Sequence, residues 1–210
     1  QAGKSLVLTH GNGPQVGFMA LRSELSRSHI HEVPLDSLVA NTQGSLGYML
    51  QRALGEEFRR RQFKHEVVSI ITEVEVYPDD DAFDRPTKPI GRFYSDPESD
   101  TLAMDRGWDM VYVENQGWRR VVPSPIPHKI VQLPTIRRLL ADGVTVVCCG
   151  GGGIPVIRSD DGSIDGIEAV IDKDRVSALL GSALGAERLF LTTGADAIYR
   201  NFATREQTRI

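Results

Sequence analysis

The 210-residue sequence is short of cysteine, of long apolar runs and of excess charge. Its only two cysteines, Cys148 and Cys149, are adjacent. A disulfide framework needs separated partners, so the pair reads as two small buried strand residues in a reducing compartment. No second Cys/His cluster accompanies them, which leaves no zinc site. No apolar stretch nears the roughly 20 residues that span a bilayer, so no membrane partner is expected. No charged-then-apolar leader opens the chain, which points to a cytoplasmic protein. The net charge of −4 lacks the basic footprint of a nucleic-acid binder. The five histidines form no H-x-x-x-H pair, and G-x-S-x-G, G-x-G-x-x-G and G-x-x-x-x-G-K-[ST] are all missing. Zinc-hydrolase, serine-hydrolase, Rossmann and P-loop readings therefore have no support.

What is there is an alternation of short apolar runs, glycine turns and helical periodicity, in a length that allows one large domain. Residues 4–9 (KSLVLT) read as a strand running into the turn HGNGP at 10–14, with a helix over 16–29. A stronger helical pattern covers 34–62, where Leu35, Leu38, Val39, Leu46, Met49, Leu50, Ala53, Leu54 and Phe58 recur at three- and four-residue steps. Gly44 and Gly47 inside it are expected to permit close packing. The β-branched stretch 66–76 predicts one strand. Residues 77–94 read as a loop, and 109–114 with 118–122 as a hairpin turning at Asn115 to Gly117. Three prolines, Pro123, Pro125 and Pro127, close this region, so 77–127 is expected to form a protruding lid on a single domain over 1–210. A helix over 135–141, a strand over 144–149, a hairpin over 157–167, a helix over 175–184 and a strand over 187–193 complete the reading. This order predicts an α/β fold with a mainly parallel central sheet and helices on both faces.

Five places can carry chemistry. In 10–14, Gly11 and Gly13 let the backbone turn sharply, and amides backed by a helix N-terminus form an anion site; a plain strand–helix turn is the alternative. Asn12 can donate to or accept from a small planar acid. Gly150, Gly151, Gly152 and Gly153 follow a strand, and four glycines in a row suggest that no side chain is allowed where a ligand sits. Lys173 lies between Asp172 and Asp174 ahead of a helix; Asp174 suits an N-cap or first-turn acid, and the lysine suits phosphate charge. Lys88 is flanked by prolines on a stiffened segment and is either delivered to a phosphate or merely solvated. Asp196 and Tyr199 either frame a nucleotide or are a turn acid and a packed aromatic.

Taken together, THGNGPQVG (9–17), PLD…TQGSLGYMLQRAL (34–54), PTKPIGRFY (86–94), GWRRVVPSP (117–125), CGGGGIPV (149–156) and GIEAVIDKDRVSALL (166–180) resemble the carbamate kinases of the amino-acid-kinase family, with TTGADAIYRNF (192–202) a looser match. The resemblance runs in order over essentially the whole chain. It implies a three-layer α/β sandwich with a protruding subdomain, usually a homodimer, and a place in arginine metabolism. The implied reaction is reversible phosphoryl transfer between ATP and carbamate, with Mg²⁺, giving ADP and carbamoyl phosphate. It would place Gly11, Asn12 and Gly13 around carbamate and the moving phosphoryl group, with Lys88 reaching in from the lid. Lys173 would neutralise phosphate, Asp174 would orient the lysines, the glycines at 150–153 would leave room for substrate, and Asp196 and Tyr199 would lie near the nucleotide. The family pattern also has an earlier strand with a G-G-N loop and a later G-P-K lysine that this chain lacks, and TTGAD stands where T-x-V-D is usual, so an exposed sheet edge is expected. Rival readings are a non-catalytic nucleotide-binding or scaffold protein of the same fold, and a kinase for another small acid such as an acylated glutamate.

Overall fold

Periodic apolar residues become helices and β-branched runs become strands along most of the chain. The computed structural model describes residues 5–194, 196–201 and 204–210. In chain order the elements are β1 (Val7–Leu8), α1 (Gly13–Ser26), α2 (Leu35–Arg60), β2 (Val67–Ser69), β3 (Glu73–Val76), β4 (Lys88–Tyr94), α3 (Asp96–Arg106), β5 (Asp109–Val113) and β6 (Gly117–Val122). They continue with β7 (Pro127–Ile130), α4 (Leu133–Ala141), β8 (Thr145–Val147), a 3-10 turn (Gly150–Gly152), β9 (Ile154–Arg158), β10 (Ile164–Gly166), α5 (Lys173–Leu184), β11 (Tyr199–Arg200) and β12 (Thr208–Arg209).

The central sheet is laid down in two halves. The first has the order β1-β8-β2 with every pair parallel. The second has the order β10-β9-β3-β7, parallel between β9 and β3 and antiparallel at both flanks. The chain crosses between the halves at two places: β2 runs on into β3 through Thr72, and β8 runs on into β9 through the glycine turn. Thr72 stitches the crossing, since its hydroxyl accepts from Cys149 N at 3.0 Å and its carbonyl accepts from Ile154 N at 2.9 Å. The sheet is therefore interrupted where the second glycine turn lies.

Each face of this sheet carries its own core, which gives three layers. On one face Val74, Val76, Val146 and Cys148 pack with Ile136 of α4 and Val176 and Leu180 of α5. On the other, Ile154 and Val156 pack with Val16 of α1 and Leu35, Leu38 and Val39 of α2. The alternation follows from the pleat, because successive side chains of a strand point to opposite faces. One charge is buried with the second face: Glu75, 3% exposed, accepts from Lys129 Nζ at 3.0 Å and from Arg158 Nε at 3.0 Å. The Arg158 guanidinium is the main cause holding the Glu75 carboxyl below the usual carboxylate range, against burial that works to raise it.

Between β3 and β7 the chain makes an excursion with its own antiparallel sheet, order β4-β6-β5, joined by α3. The β5–β6 hairpin turns through Asn115 at φ 63° and Gly117 at φ 100°, the left-handed conformations such a turn requires. Ile90 and Val122 of this sheet belong to the core on the α1/α2 face, so the excursion is packed against the body.

Several elements differ from the sequence reading. The single strand expected over 66–76 is two strands in different sheet halves. Residues 88–94, expected as loop, are β4, because β6 offers an antiparallel ladder, interrupted by an irregularity between Ile90 and Phe93. Helix α3 was not foreseen, although Ser95 and Glu98 form a capping box that the sequence displays. Residues 187–193, expected as a strand, form none: Leu189, Phe190 and Leu191 are exposed, and no described strand runs beside them to supply a ladder. Of the two α2 glycines expected to permit close packing, a Cβ at Gly47 would sit 2.0 Å from Ser69 Oγ, whereas Gly44 faces open space. The cysteines are buried as expected, and the side-chain contact with Cys149, aided by burial, pushes the Cys148 thiol well up. Among the described residues no helix is long and apolar enough to cross a membrane.

Candidate active site

The turn after β1 ends a parallel strand and opens α1. Asn12 occupies the N-cap position, where an asparagine side chain ordinarily accepts from the first helical amides. It does not do so here. Its side chain is buried and donates from Nδ2 to Thr42 Oγ1 at 2.8 Å. The backbone N–H groups of Gly11, Asn12, Gly13 and Gln15 consequently have no partner among the described residues. Four donors at one helix N-terminus, with the dipole behind them, make a place for an anion.

Lys173 is brought to the same place from α5. A Cβ at Gly11 would stand 3.3 Å from Lys173 Cδ, so only glycine lets the lysine stem lie across the turn without a shift. Two hydroxyls join the strand end to the helix start: Thr9 Oγ1 lies 2.8 Å from Ser177 Oγ, which donates to Lys173 O at 2.7 Å. Lys173 Nζ donates to Asp174 Oδ1 at 2.7 Å, a pair about half exposed on both sides.

The second glycine turn packs on the first. Gly151 N donates to His10 O at 2.7 Å. A Cβ at Gly150 would lie 2.3 Å from His10 Nε2, at Gly151 2.2 Å from Asn12 Nδ2, at Gly152 2.3 Å from Ile171 O and at Gly153 2.3 Å from Val74 Cγ2. The space these glycines leave is thus occupied by the protein's own atoms. Three of their four amides are engaged as well, since besides Gly151 N, Gly152 N donates to Cys149 O and Gly153 N to Gly150 O, both at 3.1 Å. The left-handed φ of Gly151, Gly152 and Gly153 adds a second reason for glycine.

Lys88 arrives from the antiparallel excursion as the first residue of β4. Its Nζ donates to Asp172 Oδ2 at 3.1 Å. Asp172, rather than Asp174, is the N-cap of α5, accepting from Asp174 N at 2.9 Å and Arg175 N at 3.3 Å, while Asp174 is a first-turn acid. Partial burial works to raise the Asp172 carboxyl, but Lys88 and the capping amides outweigh it and hold it below its ordinary range. Gln43 completes the frame: its amide accepts from Thr72 N at 2.7 Å and donates to Thr72 O at 3.1 Å, fixing the crossing strand.

The structure therefore unites Gly11, Asn12, Gly13, the glycines at 150–153, Lys173 and Asp174, and brings Lys88 to the adjoining Asp172. Asp196 and Tyr199 stand on the segment leading into the β11–β12 ribbon, where Tyr199 Oη donates to Asp196 Oδ1 at 2.8 Å, and that bond raises the Tyr199 phenol. Sequence reasoning passed over Thr42 and Gln43, and named Asp172 only as an acid flanking Lys173. The first two had a signal: they are polar residues at positions seven and eight after Leu35, on the stripe that Leu38 and Val39 define as apolar, and both are buried.

A cavity of about 480 Å³ lies elsewhere, between α1, the start of α2 and the β4-β6-β5 sheet. It shares no lining residue with either glycine turn or with Lys173. Its charges pair across the join: Arg106 with Glu32 and Arg120 with Glu168, each at 2.9 Å, while Tyr94 donates to Glu24 at 3.0 Å. Burial and Glu24 push the Tyr94 phenol up to about 12, so it stays a proton donor. This cavity reads as the seam that straps the excursion to the body.

Comparison with known proteins agrees with this fold. The chain is 43% identical over 206 residues to carbamate kinase 2 of Enterococcus faecalis and 43% identical over 209 residues to the carbamate kinase of Pyrococcus horikoshii. Each match covers 98% of this chain and 66% of the relative, so the chain spans just under two thirds of their length. Among solved structures, carbamate kinase from Giardia lamblia bound to AMP-PNP superposes with a TM-score of 0.87 at 38% identity, covering 100% of this chain and 66% of that one. A protein from Aeropyrum pernix K1 superposes with a TM-score of 0.88 at 38% identity, covering 97% and 65%. The family model described as "Amino acid kinase family" matches residues 1–209, and the chain belongs to the amino acid kinase family.

Proposed function

We propose that this site transfers a phosphoryl group between ATP and carbamate, giving ADP and carbamoyl phosphate. The observation that carries the reading is the set of four unengaged amides at Gly11, Asn12, Gly13 and Gln15, with the Lys173 stem laid across Gly11. In-line transfer requires little more than such an arrangement. A carbamate oxygen attacks the γ-phosphorus, the bond to the ADP oxygen breaks, and the charge that spreads over the equatorial oxygens needs fixed donors and cations. The first-turn amides and Lys173 supply them, Asp174 holds Lys173, and residues 77–127 act as the lid that delivers Lys88. The relatives named carbamate kinases, one of them solved with AMP-PNP, support the same reading.

The glycines at 150–153 serve by packing the first turn into place and setting the start of α5. Asp196 and Tyr199 are assigned to the nucleotide side, and a homodimer belongs to the same reading, which light scattering tests. Among the described residues no group of three or more His, Cys, Asp or Glu is placed to hold a metal. That suits Mg²⁺ arriving on the ATP phosphates, which keeps several waters and needs one or two carboxylates at most. Asp174, half exposed beside Lys173, is the carboxylate available to it.

The test is ADP phosphorylation by carbamoyl phosphate. Lys173→Ala is expected to lower kcat by about 10²–10³, the size of losing one fixed charge-stabilising donor, and Lys88→Ala by about tenfold or more. Equal rates in all three proteins would remove both lysines from the site. Binding of ADP–Mg²⁺ by calorimetry without turnover would favour the non-catalytic nucleotide-binding reading, and turnover only with an acylated glutamate would favour the other small-acid kinase.

A further inference from the structure

We infer that Thr42 sets the acid specificity of the first turn, by fixing the Asn12 side chain so that it offers a carbonyl acceptor to an acid that carries an N–H group. The inference rests on the phosphoryl-transfer reading above and deepens it.

The argument is one of proton counting. Thr42 Oγ1 lies 2.7 Å from Val39 O. Two oxygens at that separation need a proton between them, and a carbonyl brings none, so the single Thr42 hydroxyl proton is committed to Val39. Toward Asn12, 2.8 Å away, Thr42 can then only accept. The Asn12 amide must present its NH₂ to Thr42 and its Oδ1 to the other side. Thr42 is fully buried in α2, and the Asn12 amide is pressed against the α-carbon of Gly151, where a Cβ would fall 2.2 Å from Nδ2 and 2.5 Å from Oδ1. Swinging to another rotamer would abandon both contacts.

Asn12 Oδ1 is left over. It accepts no hydrogen bond among the described residues, yet it is not one of the side-chain atoms sealed from solvent without a partner. An oriented acceptor, beside free backbone amides that serve the phosphoryl oxygens, discriminates between acids of the same shape. Carbamate and acetate differ by NH₂ against CH₃. The amino group can donate to Oδ1, and the methyl group would leave that oxygen desolvated and unpaired, which is the strongest basis for rejecting a near-isostere.

The experiment measures kcat/KM for ADP phosphorylation by carbamoyl phosphate and by acetyl phosphate, in the whole 210-residue chain and in Thr42→Val and Thr42→Ser. The wild type is expected to prefer carbamoyl phosphate. In Thr42→Val the amide is free to present either end, and the preference is expected to shrink about tenfold. Thr42→Ser restores the hydroxyl and is expected to keep the preference within about twofold. A purely structural role for Thr42 would lower both rates together and leave their ratio alone, and that result, or an unchanged ratio at full activity, overturns the inference. Turnover of neither acyl phosphate by the wild type is a different failure: it overturns the reading of the site, and this inference with it. One check needs no variant to fold. In ¹⁵N-labelled wild type, one proton of the Asn12 side-chain NH₂ is expected to be protected from exchange with water, and a pair exchanging like that of an exposed asparagine overturns the assignment.

Discussion

The two glycine turns look alike in the sequence and use their backbones in opposite ways. In the turn at residues 10–13 the amides are free, and the glycines face a lysine stem or open space. In the turn at 150–153 three amides are bonded inside the protein, and each missing Cβ is demanded by a neighbour between 2.2 and 2.3 Å away. Both lie at ends of parallel strands, and the second packs directly on the first through Gly151 N and His10 O. The difference teaches that a glycine run reports close approach of backbone to something, and only the hydrogen-bond ledger says whether that something is a ligand or the fold itself. Here the longer run holds the scaffold and the shorter one presents the donors.

The comparison breaks hardest at Gly152. A methyl there meets the Ile171 carbonyl, which is backbone and cannot rotate away, and the residue sits at φ 95°. Left-handed strain and overpacking together predict a loss of about 3 kcal/mol or more for Gly152→Ala, read by chemical denaturation. A loss under about 1 kcal/mol would show that the turn has slack and that the contrast with the first turn is overstated.

A smaller effect sharpens the link between the second turn's downstream helix and the excursion. Asp172 both caps α5 and accepts from Lys88, on a side chain about one third exposed. Asp172→Asn keeps a capping oxygen and discards the charge, so stability is expected to fall by only about 0.5–1 kcal/mol. The pH dependence carries the sign. The folded-state carboxyl is held below its unfolded value, so its contribution is complete above the ordinary aspartate range and disappears as pH falls through the lowered folded value. Wild type and Asp172→Asn are therefore expected to differ above about pH 4 and to converge below it. A gap that persists into strong acid would assign the effect to packing instead.

Much of this was legible beforehand. The parallel α/β plan followed from β-branched runs, glycine turns and helical periods, and the β5–β6 hairpin followed from Asn115 and Gly117. The grouping of Lys173 with the first turn came through resemblance, because no spacing rule joins residues so far apart in the chain. What escaped had identifiable causes. Strand β4 hid behind two prolines, which an edge position tolerates. The break at Thr72 was invisible because one β-branched stretch feeds two sheet halves. The stretch 187–193 has strand composition but no described partner, and propensity cannot supply a ladder. Thr42 was passed over since it is a polar interruption of an apolar stripe, although such interruptions are where buried hydrogen bonds concentrate.

The smallest expected change in stability is at Gly13, and it is the other half of the comparison. A Cβ there meets nothing within 4 Å, and the residue opens α1 without a left-handed φ. The fold gives no reason for glycine, and alanine is the better helix former, so Gly13→Ala is expected to leave the denaturation midpoint within about 0.5 kcal/mol of wild type. If the unengaged amides of this turn hold the phosphoryl group, the added methyl stands where the ligand approaches, and the Kd for carbamoyl phosphate is expected to rise about tenfold. Stability and affinity then separate at Gly13, whereas at Gly152 they fall together because the fold fails first. Alanine keeps the N–H at this position, so unchanged affinity in Gly13→Ala would mean that the ligand does not approach on the side where the Cβ stands, and the open space beside Gly13 would carry no functional weight.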